Sequence, residues 1–202
     1  MTATIRPYRP EDRDALFDIC IRTGLNGGDA TGHYRQPELL PLTFAAPYAE
    51  FDPDLVFVVD DGERAVGYIL GTADTPAFVT AFRERWLPRY ADRYPVREGE
   101  PLDPDAMLAW TLHHPERMLV PELEPYPAHL HIDLLPSHQG QGWGRRLMHT
   151  FWDALRARGV PAVHLSMSPK NTRARAFYDA MGYHPIPVAA TTEYVEHLGY
   201  HL

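Results

Sequence analysis

Apolar positions fall into blocks along the chain, and their spacing identifies the elements they form. Leu55 to Val59 is an unbroken apolar run rich in valine, Asp61-Gly62 follows as a turn, and Ala65 to Gly71 resumes the run; together they predict a hairpin in the middle of a sheet. Upstream, Thr4 to Pro7 predicts a short edge strand. Pro10, with Glu11 and Asp12 in the first turn, opens a helix that puts Leu16, Ile19 and Cys20 on one face and ends at Gly24. Gly24, Gly27, Gly28 and Gly32, with Asp29 among them and Pro37, Pro41 and Pro47 behind, predict loop with at most a short helix. Residues 76 to 127 are less regular: a helix from Pro76 to about Ala91, a shorter one from Asp105 to His114, and a concentration of prolines from Pro88 to Pro127. Trp86, Leu108 and Trp110 are core-type residues, so this stretch reads as an insertion in the same domain and not as a linker.

From Ala128 the periodicity returns. Ala128 to Leu135 predicts a strand, a glycine-rich turn follows, and Gly144 to Arg158 predicts an amphipathic helix carrying Leu147, Phe151 and Leu155. Pro161 to Met167 predicts a strand, Asn171 to Met181 a helix and Tyr183 to Val188 a further strand, with Glu193 to Leu202 left without an element. Strands alternating with helices predict an α/β architecture, a mixed sheet flanked by helices, and the 202 residues suit one domain.

Composition narrows the partners. The formal charge of −8 comes with no basic run, which argues against nucleic acid and anionic membranes and tilts slightly toward cationic partners. Cys20 stands alone, so an internal disulfide and a multi-thiolate zinc site are both excluded and a reducing compartment is expected. The N-terminus lacks a hydrophobic signal core and no apolar run is long enough to span a membrane, so a cytoplasmic location is expected.

Two segments carry candidate chemistry. The first is Pro136-Ser137-His138-Gln139-Gly140-Gln141-Gly142-Trp143-Gly144, between a strand and a helix. Glycines let backbone amides approach a ligand, and a helix N-terminus adds unpaired N–H groups with a partial positive charge, so the turn suits phosphate or pyrophosphate; a plain connecting turn is the alternative. It lacks the Gly-Lys-Ser/Thr ending of a P-loop. The second places Asn171, Ala174, Phe177, Tyr178, Met181, Gly182 and Tyr183 on one helix and its exit, where a core helix with a capping asparagine is the alternative.

Taken together, Gln139-x-x-Gly142-x-Gly144 and Asn171-x-x-Ala174-x-x-x-Tyr178-x-x-x-Gly182-Tyr183 resemble the paired motifs of the GNAT superfamily of acetyl-CoA-dependent N-acetyltransferases. The opening Ile5-Arg6-Pro7 and Pro10-Glu11-Asp12 are similar to that superfamily's N-terminus. More narrowly, Ala128-His129-Leu130-His131-Ile132-Asp133-Leu134 and the long insertion before it resemble the acetyltransferase-like domain of O-GlcNAcases and its bacterial stand-alone relatives, a subgroup in which the domain is not always catalytically competent.

The resemblance implies an acetyl-CoA cosubstrate, no metal, and an amine-bearing small molecule or peptide that attacks the thioester directly. Ile132, Leu134 and Leu135 would flank the pantetheine, with the Leu134 N–H facing the thioester oxygen. Gln139, Gly140, Gln141, Gly142, Trp143, Gly144 and Arg145 would form the pyrophosphate seat, with Gln139 standing where the superfamily usually carries arginine. Asn171 would bond the pantetheine, Ala174 and Phe177 would line its path, and Tyr178 would protonate the departing thiolate.

For the base, strand alternation puts His129, His131 and Asp133 on one face, opposite Ile132 and Leu134, so His131 or Asp133 is the candidate; a structural His–Asp pair and a metal site of His-x-His-x-Asp type are the rival readings. His164, Ser166 and Ser168 alternate on the next strand and reach either the cleft or solvent. Asp29 is a candidate for the acceptor wall. Trp86, Trp110, Trp143 and Trp152 read as packing residues, and His113-His114 as a solvated helix end. A catalytically silent acyl-CoA-binding or protein-interaction module of the same fold is the competing function, and C-terminal edge strands are compatible with a homodimer.

Overall fold

The structure, a computed structural model, describes residues 3–96, 103–189 and 195–202. Strand β1 (Thr4–Pro7) leads through a turn at residues 10–12 into α1 (Arg13–Thr23), which buries Leu16, Ile19 and Cys20 as its spacing requires. Two short helices, α2 (Leu39–Phe44) and α3 (Ala46–Phe51), occupy the stretch expected to be mainly loop. The hairpin forms as β2 (Val56–Asp60) and β3 (Ala65–Thr72), and β3 is buried along its whole length.

In the insertion, α4 (Thr75–Ala81) continues through a widened turn at residues 82–86, and α5 (Pro104–His113) is capped by Asp103, whose side chain accepts from the Ala106 N–H. Phe78, Phe82, Trp86, Leu108 and Leu112 join the same buried cluster as the sheet residues Val58, Ile69 and Leu130. The second half consists of β4 (Ala128–Leu134), α6 (Trp143–Ala157), β5 (Ala162–Met167), α7 (Thr172–Ala180), β6 (His184–Pro185) and β7 (Glu196–His201).

The seven strands form one mixed sheet in the order β1-β2-β3-β4-β5-β7-β6. All neighbours are antiparallel except β4 and β5. Two expectations are corrected at the C-terminal end. The strand expected over Tyr183 to Val188 is reduced to His184–Pro185, because Tyr183, Ile186 and Val188 are buried as packing residues beside it. The stretch left without an element supplies β7, which lies between β5 and the two-residue edge strand β6; Glu193 and Tyr194 lie outside the described residues. Among the described residues no helix is long and apolar enough to cross a membrane.

Candidate functional site

The parallel pair β4–β5 is joined only at Ala128↔Val163 and His129↔His164, although β4 runs on to Leu134 and β5 to Met167. Beyond His129 the two strands therefore splay. On its other edge β4 stays paired with β3 from His129 to Leu134. The Leu135 N–H donates to Val66 O at 2.9 Å, and antiparallel residues alternate between pointing their polar groups at the partner strand and away from it. In that register the N–H and C=O of Leu130, Ile132 and Leu134 point into the splay, as a surrogate strand requires. Leu135 itself is corrected: its amide is held by β3 and its side chain is buried. The Leu134 carbonyl accepts from Gln139 Nε2 at 2.7 Å, so Gln139 braces the open end of the strand.

The glycine turn follows directly. Gly140 and Gly142 have φ of +72° and +83°, and space is open around both Cα atoms. Only glycine adopts that backbone without strain. Gly142 caps α6, and the Arg146 N–H is the first to find a carbonyl within the helix, at Gly142. The N–H groups of Trp143, Gly144 and Arg145 are therefore the unpaired first turn, at the positive end of the helix. A Cβ on Gly144 would stand 3.2 Å from the Phe177 ring and 3.7 Å from Leu134, so the turn, α7 and the apolar face of β4 meet there. Gln141 Nε2 donates to Ser137 O at 2.7 Å, which closes the loop on itself.

Asn171 caps α7: its Oδ1 accepts from the Ala174 N–H at 3.0 Å, so its carbonyl oxygen is occupied by the helix. Tyr178, further along α7, is buried, and both burial and the Asp133 carboxylate push its phenol above the ordinary value, which keeps it protonated.

On the other face of β4 the three alternating side chains have separate partners. Asp133 accepts from the Tyr68 hydroxyl at 2.8 Å, and Cys20 is close by. Burial raises the Asp133 pKa to about 7, outweighing the Tyr68 hydrogen bond, which favours the charged form. His129 is buried between two hydroxyls, with Tyr48 at 2.7 Å from Nε2 and Thr75 at 2.8 Å from Nδ1.

Thr75 Oγ1 is also 2.8 Å from Pro127 O, and two oxygens that close need a proton between them. Thr75 therefore donates to Pro127, His129 Nδ1–H donates to Thr75, Tyr48 donates to Nε2, and the Tyr48 oxygen is left to accept from His131 Nε2 at 3.2 Å. That leaves Nδ1 of His131 as a lone pair. Burial, with Arg117 and His164 adding repulsion, lowers His131 to about 4, so it is neutral at physiological pH. The structural His–Asp pair is corrected: histidine and aspartate are held by different tyrosines. Both ring nitrogens of His129 are occupied, which removes it as the first ligand of a His-x-His-x-Asp metal site.

A cleft of ≈ 780 Å³ opens on this face, lined by His129, His131, Phe44, Trp110, Arg117 and Met118, by His164 and Ser166 from β5, and by Ser168 just past its end. His164 is buried, with Nδ1 2.8 Å from Tyr126 O. Three further expectations are corrected. Asp29 is exposed, bonds Thr31 within its own loop and does not line the cleft. Trp110 is a cleft residue stacked on His114 at 4.3 Å, whereas Trp86, Trp143 and Trp152 are buried packing residues. His113 and His114 are not a solvated end, because each is bonded to a backbone carbonyl, of Tyr94 and Trp110. Tyr48, Tyr68, Thr75 and Arg117 were missed because they come from separate segments and share no spacing with β4. The one local signal was that Tyr48 sits among apolar helical residues.

A family model described as the Acetyltransferase (GNAT) family matches residues 29–183. The crystal structure of SsHAT superposes with a TM-score of 0.95 at 55% identity, covering 100% of this chain and 98% of that one. Protein O-GlcNAcase of Rattus norvegicus is 25% identical over 181 residues, 89% of this chain and 20% of that protein, so the chain spans about a fifth of that relative's length. Mycothiol acetyltransferase of Beutenbergia cavernae is 36% identical over 104 residues, 47% of this chain and 34% of that one.

Proposed function

Because the chain belongs to the GNAT acetyltransferase family, we propose that it binds acetyl-CoA in the β4–β5 splay and transfers the acetyl group to a primary amine lodged in the adjoining cleft. The observation that carries this reading is the combination of three features: the edge of β4 at Ile132 and Leu134 that faces away from β3 beyond the last β5 pairing, the unpaired amides at the start of α6, and the cleft on the His131 face. Pantetheine adds as a strand to the open edge, and its pyrophosphate lies against the Gly140 to Arg145 amides.

In this reading Asp133 and Tyr178 are the base and the acid. Asp133, at about 7, has a proton affinity matched to neutral pH, which His131, at about 4, lacks. Asp133, one pleat beyond His131 and not itself a lining residue of the cleft, takes the ammonium proton as the amine reaches past His131, the free amine attacks the thioester carbon, and the Leu134 N–H stabilises the oxyanion. The carbon–sulfur bond then breaks, the Tyr178 hydroxyl protonates the departing thiolate, and the second proton lost from the nitrogen as the amide forms restores the phenol. His131, one pleat back, shapes the acceptor side of the cleft.

Calorimetric titration of acetyl-CoA, with CoA and ATP as controls, tests the coenzyme site. Micromolar binding that needs the pantetheine arm supports it, and no binding by folded protein overturns it. The second reading is a catalytically silent acyl-CoA-binding module of the same fold, which uses the same coenzyme site. Tight coenzyme binding with no thiol release across an amine panel would select it.

A further inference from the structure

Arg117 lines the acceptor cleft without a carboxylate partner among the described residues. Its neighbour in sequence, Glu116, is turned away: Oε1 accepts from Arg83 Nε at 2.6 Å and Oε2 from Arg83 Nη2. What Arg117 has is an aromatic face, with its guanidinium carbon 5.7 Å from the Phe44 ring centroid. Among the described residues the cleft walls are apolar and aromatic residues, two serines, a threonine and four histidines, and contain no aspartate or glutamate. Burial keeps His129, His131 and His164 in their neutral forms, so they do not compete for an anion.

Arg117 is itself exposed where it lines the cleft, so its guanidinium, with no carboxylate partner among the described residues, is open to an anionic ligand entering from solvent. The coenzyme's pyrophosphate is not that ligand. Its seat adjoins the Leu134 face of β4, where Gly144 meets Phe177, whereas Arg117 acts on Tyr48, His129 and His131, across the strand.

We propose that the acceptor is an amine carrying a carboxylate or other anionic group, which Arg117 binds in a fork while the amine reaches the β4 side of the cleft. This rests on the transferase reading above and reverses the slight tilt toward cationic partners drawn from net charge. That charge belongs to the outer surface, whereas selection happens inside a cleft whose only formal charge among its described lining residues is positive.

The test uses ω-amino acids of increasing chain length, each against its own amide, with thiol release from acetyl-CoA as the readout. The acids are expected to exceed the amides in kcat/KM by roughly 10- to 100-fold, the worth of a charge-assisted hydrogen-bonded pair. Arg117→Gln should erase that ratio and leave acetyl-CoA affinity unchanged.

Direct titration of the N-acetylated acids and amides into coenzyme-free protein reads the same preference without turnover. Acetyl-CoA failing to bind would then sink the transferase reading alone. Equal binding of acid and amide, binding of neither, a preference that survives Arg117→Gln, or a loss of coenzyme affinity in that variant would each overturn the proposal.

Discussion

Tyr68 on β3 and Asp133 on β4 face each other in register, and the Tyr68 hydroxyl donates to Oδ2 of Asp133 at 2.8 Å. The bond favours the carboxylate while burial opposes it, and burial wins by enough to set Asp133 at about 7. Removing the hydroxyl leaves burial opposed only by the hydrogen bond from Thr23. In Tyr68→Phe the acid limb of kcat/KM should therefore move up by as much as about one pH unit. A limb that stays in place would show that Asp133 is not the group being titrated.

The same profile separates the two candidate bases. With Asp133 as the base, kcat/KM rises with an apparent pKa near 7, and Asp133→Asn abolishes the rise. With His131 as the base, the rise lies near 4 and survives Asp133→Asn.

Gly142→Val should abolish acetyl-CoA binding, since it places a branched side chain in the open space of the seat and strains a φ of +83°. Gly159 has φ +72°, lies just past α6 and has nothing around it, so Gly159→Val carries comparable strain away from the seat. Calorimetry should find coenzyme affinity lost in the first variant and kept in the second.

Tyr178→Phe should lower kcat by roughly 100-fold, the usual worth of a positioned general acid, with acetyl-CoA affinity unchanged. An unaltered rate would remove Tyr178 from the chemistry.

Stability should fall on acidification. His131 and His164 have folded pKa values lowered from 6.5 to about 4, so the unfolded chain binds more protons between those limits. The stability they contribute is complete above about 6.5 and is lost as pH drops toward 4. Asp133 acts oppositely: its folded value is raised from 3.8 to about 7, so protonation in that window favours the native state. His164→Asn keeps a donor for the Tyr126 carbonyl and removes one titration. Its melting temperature should fall less than that of the wild type between pH 7 and 5, and an equal fall would refute the assignment.

Whatever depended on neighbours in sequence was legible in the sequence. The hairpin of β2 and β3, the apolar face of α1, the strand–turn–helix around Gly142 and the Asn171 cap arise from period, turn residues and backbone freedom, which act over a few positions. The alternation of His129, His131 and Asp133 against Ile132 and Leu134 was likewise fixed by the pleat.

Only the tertiary structure decided what those side chains became. Tyr48 comes from α3, Tyr68 from the hairpin, Thr75 from the start of the insertion and Arg117 from near its end, and no local rule relates them. Packing them onto β4 made one histidine a buried bridge between hydroxyls, another a neutral cleft residue, and the aspartate a carboxyl that titrates near neutrality. Desolvation and hydrogen-bond partners set those states, and both exist only once segments distant in sequence close over the strand.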